Sequence, residues 1–223
     1  MTFKGLLSSV LIASSLMLAG GCTTTTVNEH RESDAVLSVG GSETFVLLGR
    51  RHAGHYEAEP EFIRCIGSKM GAGNKLKVLD EQEFIDGLYP WFEPRTAPLN
   101  LKRLSHMLHD PLVTSRMKAL GVRYMIWVDG NTETTDKSGS VSCAIGPGGG
   151  GCFGFSTWDK ESSYEAVIWD LKDFTDKGRV RVEAKGSSYM VAVGAPIPFI
   201  ARVQGEACDG LGSQLREFFS AEG

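Results

Sequence analysis

From Val122 onward the chain is written in period two, and that pattern constrains its fold more than any other feature. Arg179, Arg181, Glu183 and Lys185 alternate with Val180, Val182 and Ala184, which describes a strand with one wet face and one buried face. Tyr164, Ala166 and Ile168 alternate with Val167, Trp169 and Leu171. Few polar groups fall on either side there, so that strand belongs in the centre of a sheet with both faces covered. Residues 122–128 and 152–158 read as two further strands, and 179–193 as one long or broken strand. Strands following one another in this way form an antiparallel meander, whose apolar face needs a layer of helices.

The first half supplies helices. A short β-rich run over 44–48 is followed by Glu59-Pro60, which opens a helix carrying Phe62, Ile63, Ile66 and Met70 on one face and ending at Gly71. A second strand over 76–79 runs directly into Asp80-Glu81-Gln82-Glu83, where Asp80 can cap and Glu83 can reach back. That short helix continues through Phe84 and Leu88. Pro90, Pro94 and Pro98, with Trp91 and Phe92, make a rigid connection to a helix marked by Leu101, Leu104 and Leu108. Asp110-Pro111 caps and starts another, carrying Leu112, Val113, Met117 and Leu120 and stopped by Gly121. Asp209 is expected to cap a last helix with Leu211, Leu215, Phe218 and Phe219 at helical spacing. The order β-α-β-α(α)-β-β-β-α is that of an α+β fold: a mixed, largely antiparallel sheet with helices packed on it.

Residues 1–21 lie outside that fold. Lys4, an apolar run from Leu6 to Leu18, and the small residues Ala19-Gly20-Gly21 before Cys22 describe an export signal, too short and too rich in serine for a spanning helix. The segment resembles the lipobox of bacterial lipoproteins, with Ala19 where the commonest pattern has leucine. The resemblance implies diacylation of Cys22, attachment to the membrane through palmitate-type chains and, with Thr23 next, sorting to the outer membrane on its periplasmic side. Residues 22–42 then read as the acylated cysteine and a flexible tether, because Thr23 to Thr26 and the polar stretch after them carry no periodicity. Residues 43–223 remain as a single periplasmic domain.

Composition narrows the function. Hydrophobic residues at 42% and charged residues at 22% exclude wholesale disorder and a multi-span membrane protein. Once Lys4 leaves with the signal, 22 Lys and Arg stand against 27 Asp and Glu; this gives no electrostatic footprint for nucleic acid.

Four cysteines remain in the mature chain, an even number in an exported protein, which favours two disulfides. Cys143 and Cys152 flank a stretch that can turn the chain back on itself, so they are expected to close that hairpin and leave Cys65 to reach Cys208. No Cys-x-x-Cys spacing points to zinc.

The segment Lys77-Val78-Leu79-Asp80-Glu81-Gln82-Glu83-Phe84 resembles the strand, acidic cap and short helix of the curli-secretion lipoproteins and of TolB N-terminal-like domains. Gly121-Val122-Arg123-Tyr124-Met125-Ile126-Trp127-Val128-Asp129-Gly130 is similar to their Gly-Ala-Asp-Tyr-Leu-Ile-x-Gly strand. Glu165-Ala166-Val167-Ile168-Trp169-Asp170-Leu171, followed by Gly178-Arg179-Val180, is similar to their strand, Asp, turn, Gly, strand hairpin. The resemblance runs loosely over 44–220 and implies a mixed-sheet periplasmic domain used in envelope assembly or protein contacts. It departs over 131–163, where a Cys-Gly-rich hairpin replaces long amphipathic strands.

Chemistry is sparse. The tract from Gly146 to Gly151 could let backbone N–H groups approach a phosphate, yet no Lys-Ser/Thr follows it. His52 with His55 and His106 with His109 sit three residues apart without a third ligand at a diagnostic spacing. No Gly-x-Ser-x-Gly elbow is present, and no unpaired cysteine is left to act as a nucleophile. The expectation is a non-enzyme without cofactors: an interaction or assembly module of the cell envelope, bound to the membrane by its lipid, with envelope proteins or further copies of itself as partners. Gly148, Gly149, Phe153, Phe155 and Trp158 form its expected partner surface, with Trp91 and Phe92 as further aromatics in a connection. The alternative is a periplasmic small-ligand or metal-binding domain.

Overall fold

The computed structural model describes residues 23–32, 43–52, 55–56, 58–73, 76–93 and 95–220. The expected signal peptide, Cys22 and the 33–42 part of the expected tether lie outside them. Strands are β1 (Thr23–Arg31), β2 (Thr44–Gly49), β3 (Arg51–His52), β4 (His55–Tyr56), β5 (Lys77–Leu79), β6 (Val122–Gly146), β7 (Gly149–Asp170) and β8 (Thr175–Phe199). Helices are α1 (Pro60–Met70), α2 (Glu81–Gly87), α3 (Leu101–Met107), α4 (Pro111–Leu120) and α5 (Val203–Ser220). Six strands make one sheet in the order β1-β8-β7-β6-β2-β5, and β3 pairs with β4 alone. β2 is parallel to both β5 and β6, whereas the hairpin neighbours β6, β7 and β8 run antiparallel. The fold is α+β.

Two compact units share the chain. Of the described residues, the larger comprises those within Thr25–Asn131, Ser162–Glu183 and Gln204–Gly223; the smaller comprises Thr23, Thr24, Thr132–Glu161 and Ala184–Val203. β6, β7 and β8 each contribute a part to both.

In the larger unit every residue of β2 is buried, because parallel strands flank it and helices cover both faces. Phe45 stacks on Tyr124 at 5.1 Å and meets the edge of Phe219 of α5 at 4.6 Å. On the same face α1 buries Phe62, Ile63, Ile66 and Met70, and Phe62 stacks on Tyr164 at 3.6 Å. Val46 and Leu48 point the other way, into a core built from Phe84, Leu88, Leu104, Met117, Met125 and Trp127. Each large side chain fully buried in these layers contributes about 1.5–3 kcal/mol. The helix signals act locally as expected: Asp80 accepts from the Gln82 and Glu83 N–H groups, Asp110 accepts from Leu112 N–H, and Gly121 closes α4 in the left-handed region at φ 66°.

Four expectations are corrected. Residues 23–31, expected as tether, form β1 against β8, because Val27 packs toward Val182 and Gly210 and threonine suits a pleated surface. The segment 131–163 holds its Cys-Gly-rich hairpin on long strands instead of in place of them: β7 is one strand through both the 152–158 and 164–171 runs. α5 begins at Val203, so Asp209 lies inside it and pairs with Lys69 at 2.5 Å instead of capping. Phe92 is core, 4.7 Å edge-on from Phe84, and offers no partner surface.

Candidate functional site

The smaller unit carries the residues expected to meet a partner. β6 and β7 are joined by two residues, Pro147 and Gly148, and Cys143 is bridged to Cys152 across the ladder with Cα atoms 4.0 Å apart. Close approach of the strands needs glycine at two places. A Cβ on Gly139 (φ 78°) would sit 2.3 Å from Phe155 O, and one on Gly154 (φ 137°) 2.2 Å from Ser140 O. β8 reverses within itself near Gly194 (φ 85°): the Tyr189 ring stacks on Phe199 at 4.8 Å, and Ala201 N–H donates to Ser188 Oγ at 2.9 Å. A second turn therefore lies beside the first, where a Cβ on Gly151 would stand 3.8 Å from Gly194 O.

Around these turns the side chains face water. Gly148 and Gly149 have nothing within 4 Å of a Cβ position, and Phe153 and Phe155 are 65% and 53% exposed. Trp158 differs. It is half-buried and lines an open groove of about 530 Å³ with Thr134, Lys137, Ser156, Lys160 and Met190. Four apolar side chains that the sequence reading missed are exposed as well: Ile145 at 94%, Val193 at 79%, Ile197 at 56% and Ile200 at 54%. The signal that finds them is the lack of any charge around them, which outweighs the period-two pattern used to assign strands.

The remaining candidates are the two histidine pairs. His52 and His55 are register partners in the β3–β4 ladder. The His106 and His109 rings are 6.1 Å apart, and His109 Nδ1 lies 2.8 Å from Ser105 O. Among the described residues no group of three or more His, Cys, Asp or Glu could hold a metal ion, and no helix is long and apolar enough to cross a membrane. Cys65 is bridged to Cys208, joining α1 to α5 with Cα atoms 6.2 Å apart.

The larger unit has a narrow cavity of about 20 Å³ at the carboxyl end of β2, beside Trp127 in the first third of β6, lined by Leu48, Gly49, Ile85, Phe92 and Trp127. Gly49 N–H donates to Glu81 Oε1 at 2.9 Å there, and Trp127 Nε1 is buried with no hydrogen-bond partner. The strongest charge cluster joins strand ends. Arg123 pairs with Glu43 and, at 3.2 Å, with buried Asp170, which Lys177 approaches at 3.8 Å. The Asp170 hydrogen bond, opposed by burial and helped by Glu43, raises the Arg123 guanidinium pKa still further above its ordinary value. Burial pushes the neighbouring Tyr124 phenol up to about 12. This arrangement ties β6 to β7 and presents no nucleophile to a substrate.

Neither the protein-family models nor the curated sequences compared with the chain give a match. Among solved structures, a PelC dodecamer from Paraburkholderia phytofirmans is similar over 89% of this chain and all of that one, at 11% identity and a TM-score of 0.39. A point-substituted form of the same dodecamer is similar over 86% and 96%, at 12% identity and the same TM-score. Likeness at that distance fixes no function.

Proposed function

We propose that the protein is a lipoprotein of the outer membrane, anchored through Cys22 and facing the periplasm, whose smaller unit serves as a contact surface in assembly of the cell envelope. The observation that carries the reading is the exposure of Ile145, Phe153 and Phe155 on the disulfide-closed strands β6 and β7, with Val193 exposed at the neighbouring turn of β8, since soluble monomers rarely leave large apolar side chains grouped in water without an interaction to cover them. Deleting Gly148 to Gly151 tests it. The melting temperature should stay nearly unchanged, while the envelope proteins that co-purify with the tagged chain from membranes are lost. Unfolding of the domain, or an unchanged co-purifying set, counts against a contact role.

A small-ligand reading has one observation in its favour, the unpartnered Trp127 Nε1 beside the cavity. A buried donor left without a partner costs about 1–3 kcal/mol, which a bound acceptor would recover. A small-molecule chemical-shift response at the Trp127 indole N–H of the parent, with weaker binding of the same molecule to Trp127→Phe, is the outcome that reading expects.

A further inference from the structure

The contact surface has a chemistry of its own, read from where charge stops. From 138 to 158 there is no Asp, Glu, Lys or Arg, and from 186 to 201 there is none either. The boundaries are marked by Asp136 and Lys137, by Asp159 and Lys160, by Lys185, and by Arg202. The fold makes each uncharged run a hairpin, one turning at Pro147-Gly148 and the other near Gly194, and sets the two turns side by side in the smaller unit. Side chains of both strand faces are involved. Phe153 and Phe155 share one face of β7, while Cys152 lies on the other, bridged to Cys143 with Ile145 two residues beyond it. A docked protein covers one face of a sheet. An absence of charge from both faces and from every strand end suits a medium that surrounds the tip.

A second observation comes from β1. It runs antiparallel to β8: Glu32 N–H donates to Lys177 O at 3.2 Å, Gly178 lies against Arg31, and Val27 and Val182 approach Gly210 together. That register, carried to the first residue of β1, brings Thr23 beside Gly186, where the second uncharged run begins. Thr23 and Thr24 belong to the smaller unit. Cys22 is the next residue, so its acyl chains would leave the protein at the border between charged and uncharged sheet.

We propose that the two uncharged hairpin tips sit in the headgroup and acyl boundary of the leaflet that holds the lipid of Cys22, with Ile145 and Val193 among the acyl chains and Phe153 and Phe155 at the headgroups. The inference rests on the lipoprotein reading for the position of the anchor, and names a lipid surface as what the contact surface meets. Interfacial segments bury about 5–10 Å into this zone, and aromatic rings with a polar neighbour are at home there. Depth is limited by the backbone. Over 132–146 no described strand lies outside β6, and its outward N–H and C=O groups cannot be left bare in hydrocarbon. Water and headgroups satisfy them at the boundary, and Lys137, Lys160 and Lys185 stay on the aqueous side.

The test uses the full chain, processed in cells, purified from membranes and reconstituted in phosphatidylcholine vesicles brominated either near the headgroup or near the methyl end of the acyl chains. Ile145→Trp and, separately, Val193→Trp are compared with the parent by difference emission, and Lys185→Trp reports the aqueous side. Blue-shifted emission at 145 and 193, quenched more by the shallow bromines than by the deep ones, with 185 unquenched and water-like, is the expected result. Water-like, unquenched emission at both tips overturns the proposal. So does stronger quenching by the deep bromines, which would put the strands across the bilayer, or a blue shift that needs no vesicles and grows with protein concentration, which would assign the tips to another copy. The N-terminal peptide mass is read on the same sample. Acylated Cys22 with unquenched tips defeats this inference alone, while quenched tips without acyl mass defeat the anchor alone.

Discussion

At the scale of single residues, the clearest consequence concerns Tyr124. Its ring is buried between Phe45 and Phe219, and its hydroxyl has no hydrogen-bond partner. A phenol raised to about 12, chiefly by burial, favours the neutral form in the folded state. Its contribution to stability is therefore complete below its ordinary pKa near 10 and is lost as pH rises through about 12. Tyr124→Phe keeps the stacking and removes both the unpaired hydroxyl and the alkaline penalty. The variant should be as stable as the parent at pH 7 or firmer by about 1 kcal/mol, with its alkaline unfolding midpoint moved upward. Denaturant melts at neutral and alkaline pH measure this, and a loss of more than 1 kcal/mol at pH 7 would show that the hydroxyl has a partner. What could be read in the sequence at this scale was local. Asp80 and Asp110 stand within three residues of the N–H groups they cap. The Arg123 cluster was hidden, because its carboxylates lie 47 and 80 residues away and nothing in a linear pattern pairs them.

Element by element, helices whose ends carry their own signals were legible, and α5 was not. Gly205, Gly210 and Gly212 dilute its apolar spacing, so the sequence suggests a start at Asp209, six residues late. Gly210 and Gly212 are there for closeness rather than for flexibility. A Cβ on Gly212 would come within 2.6 Å of Lys69 Cβ on α1, in the region where Cys65 and Cys208 bind the same two helices. Gly212→Ala should consequently reverse the usual ranking. Propensity alone favours alanine by about 1 kcal/mol, whereas overpacking against α1 costs about 1–3 kcal/mol; a lowered melting temperature is expected, and a raised one would mean that the helices part freely. Opening the bridges should follow loop length. Replacing Cys65 and Cys208 by serine releases a separation of 143 residues, against 9 for Cys143 and Cys152, corresponding to about 5 and 3 kcal/mol in the chain-entropy account. Non-reducing peptide mapping should recover both pairs, and a Cys65–Cys143 peptide would sink the assignment.

For the molecule as a whole, period two announced a sheet but could not announce its extent, since the same alternation that marks strands in the larger unit fades across the glycines of the smaller one. What continued the strands was pairing between β6 and β7, a long-range property that a segment such as 131–163 does not display by itself. The N-terminal residues erred in the opposite direction. Four threonines and a polar run look like tether, yet β1 finds a sheet edge, and this shortens the link between Cys22 and folded structure to nothing at all. That has a consequence for anchoring. Each buried acyl methylene contributes about 0.8 kcal/mol, so two or three chains hold a protein to a bilayer effectively permanently, and a protein whose first strand begins at the next residue is held at the surface without freedom to roam. On the proposed lipoprotein reading, Cys22→Ser removes the chains but not β1. The mature chain should then leave the membrane fraction while keeping its melting temperature, and the wild-type N-terminal peptide should carry the acyl mass that the variant lacks. Unchanged fractionation of Cys22→Ser together with an unmodified wild-type peptide would show that another part of the chain, or a partner, holds it there.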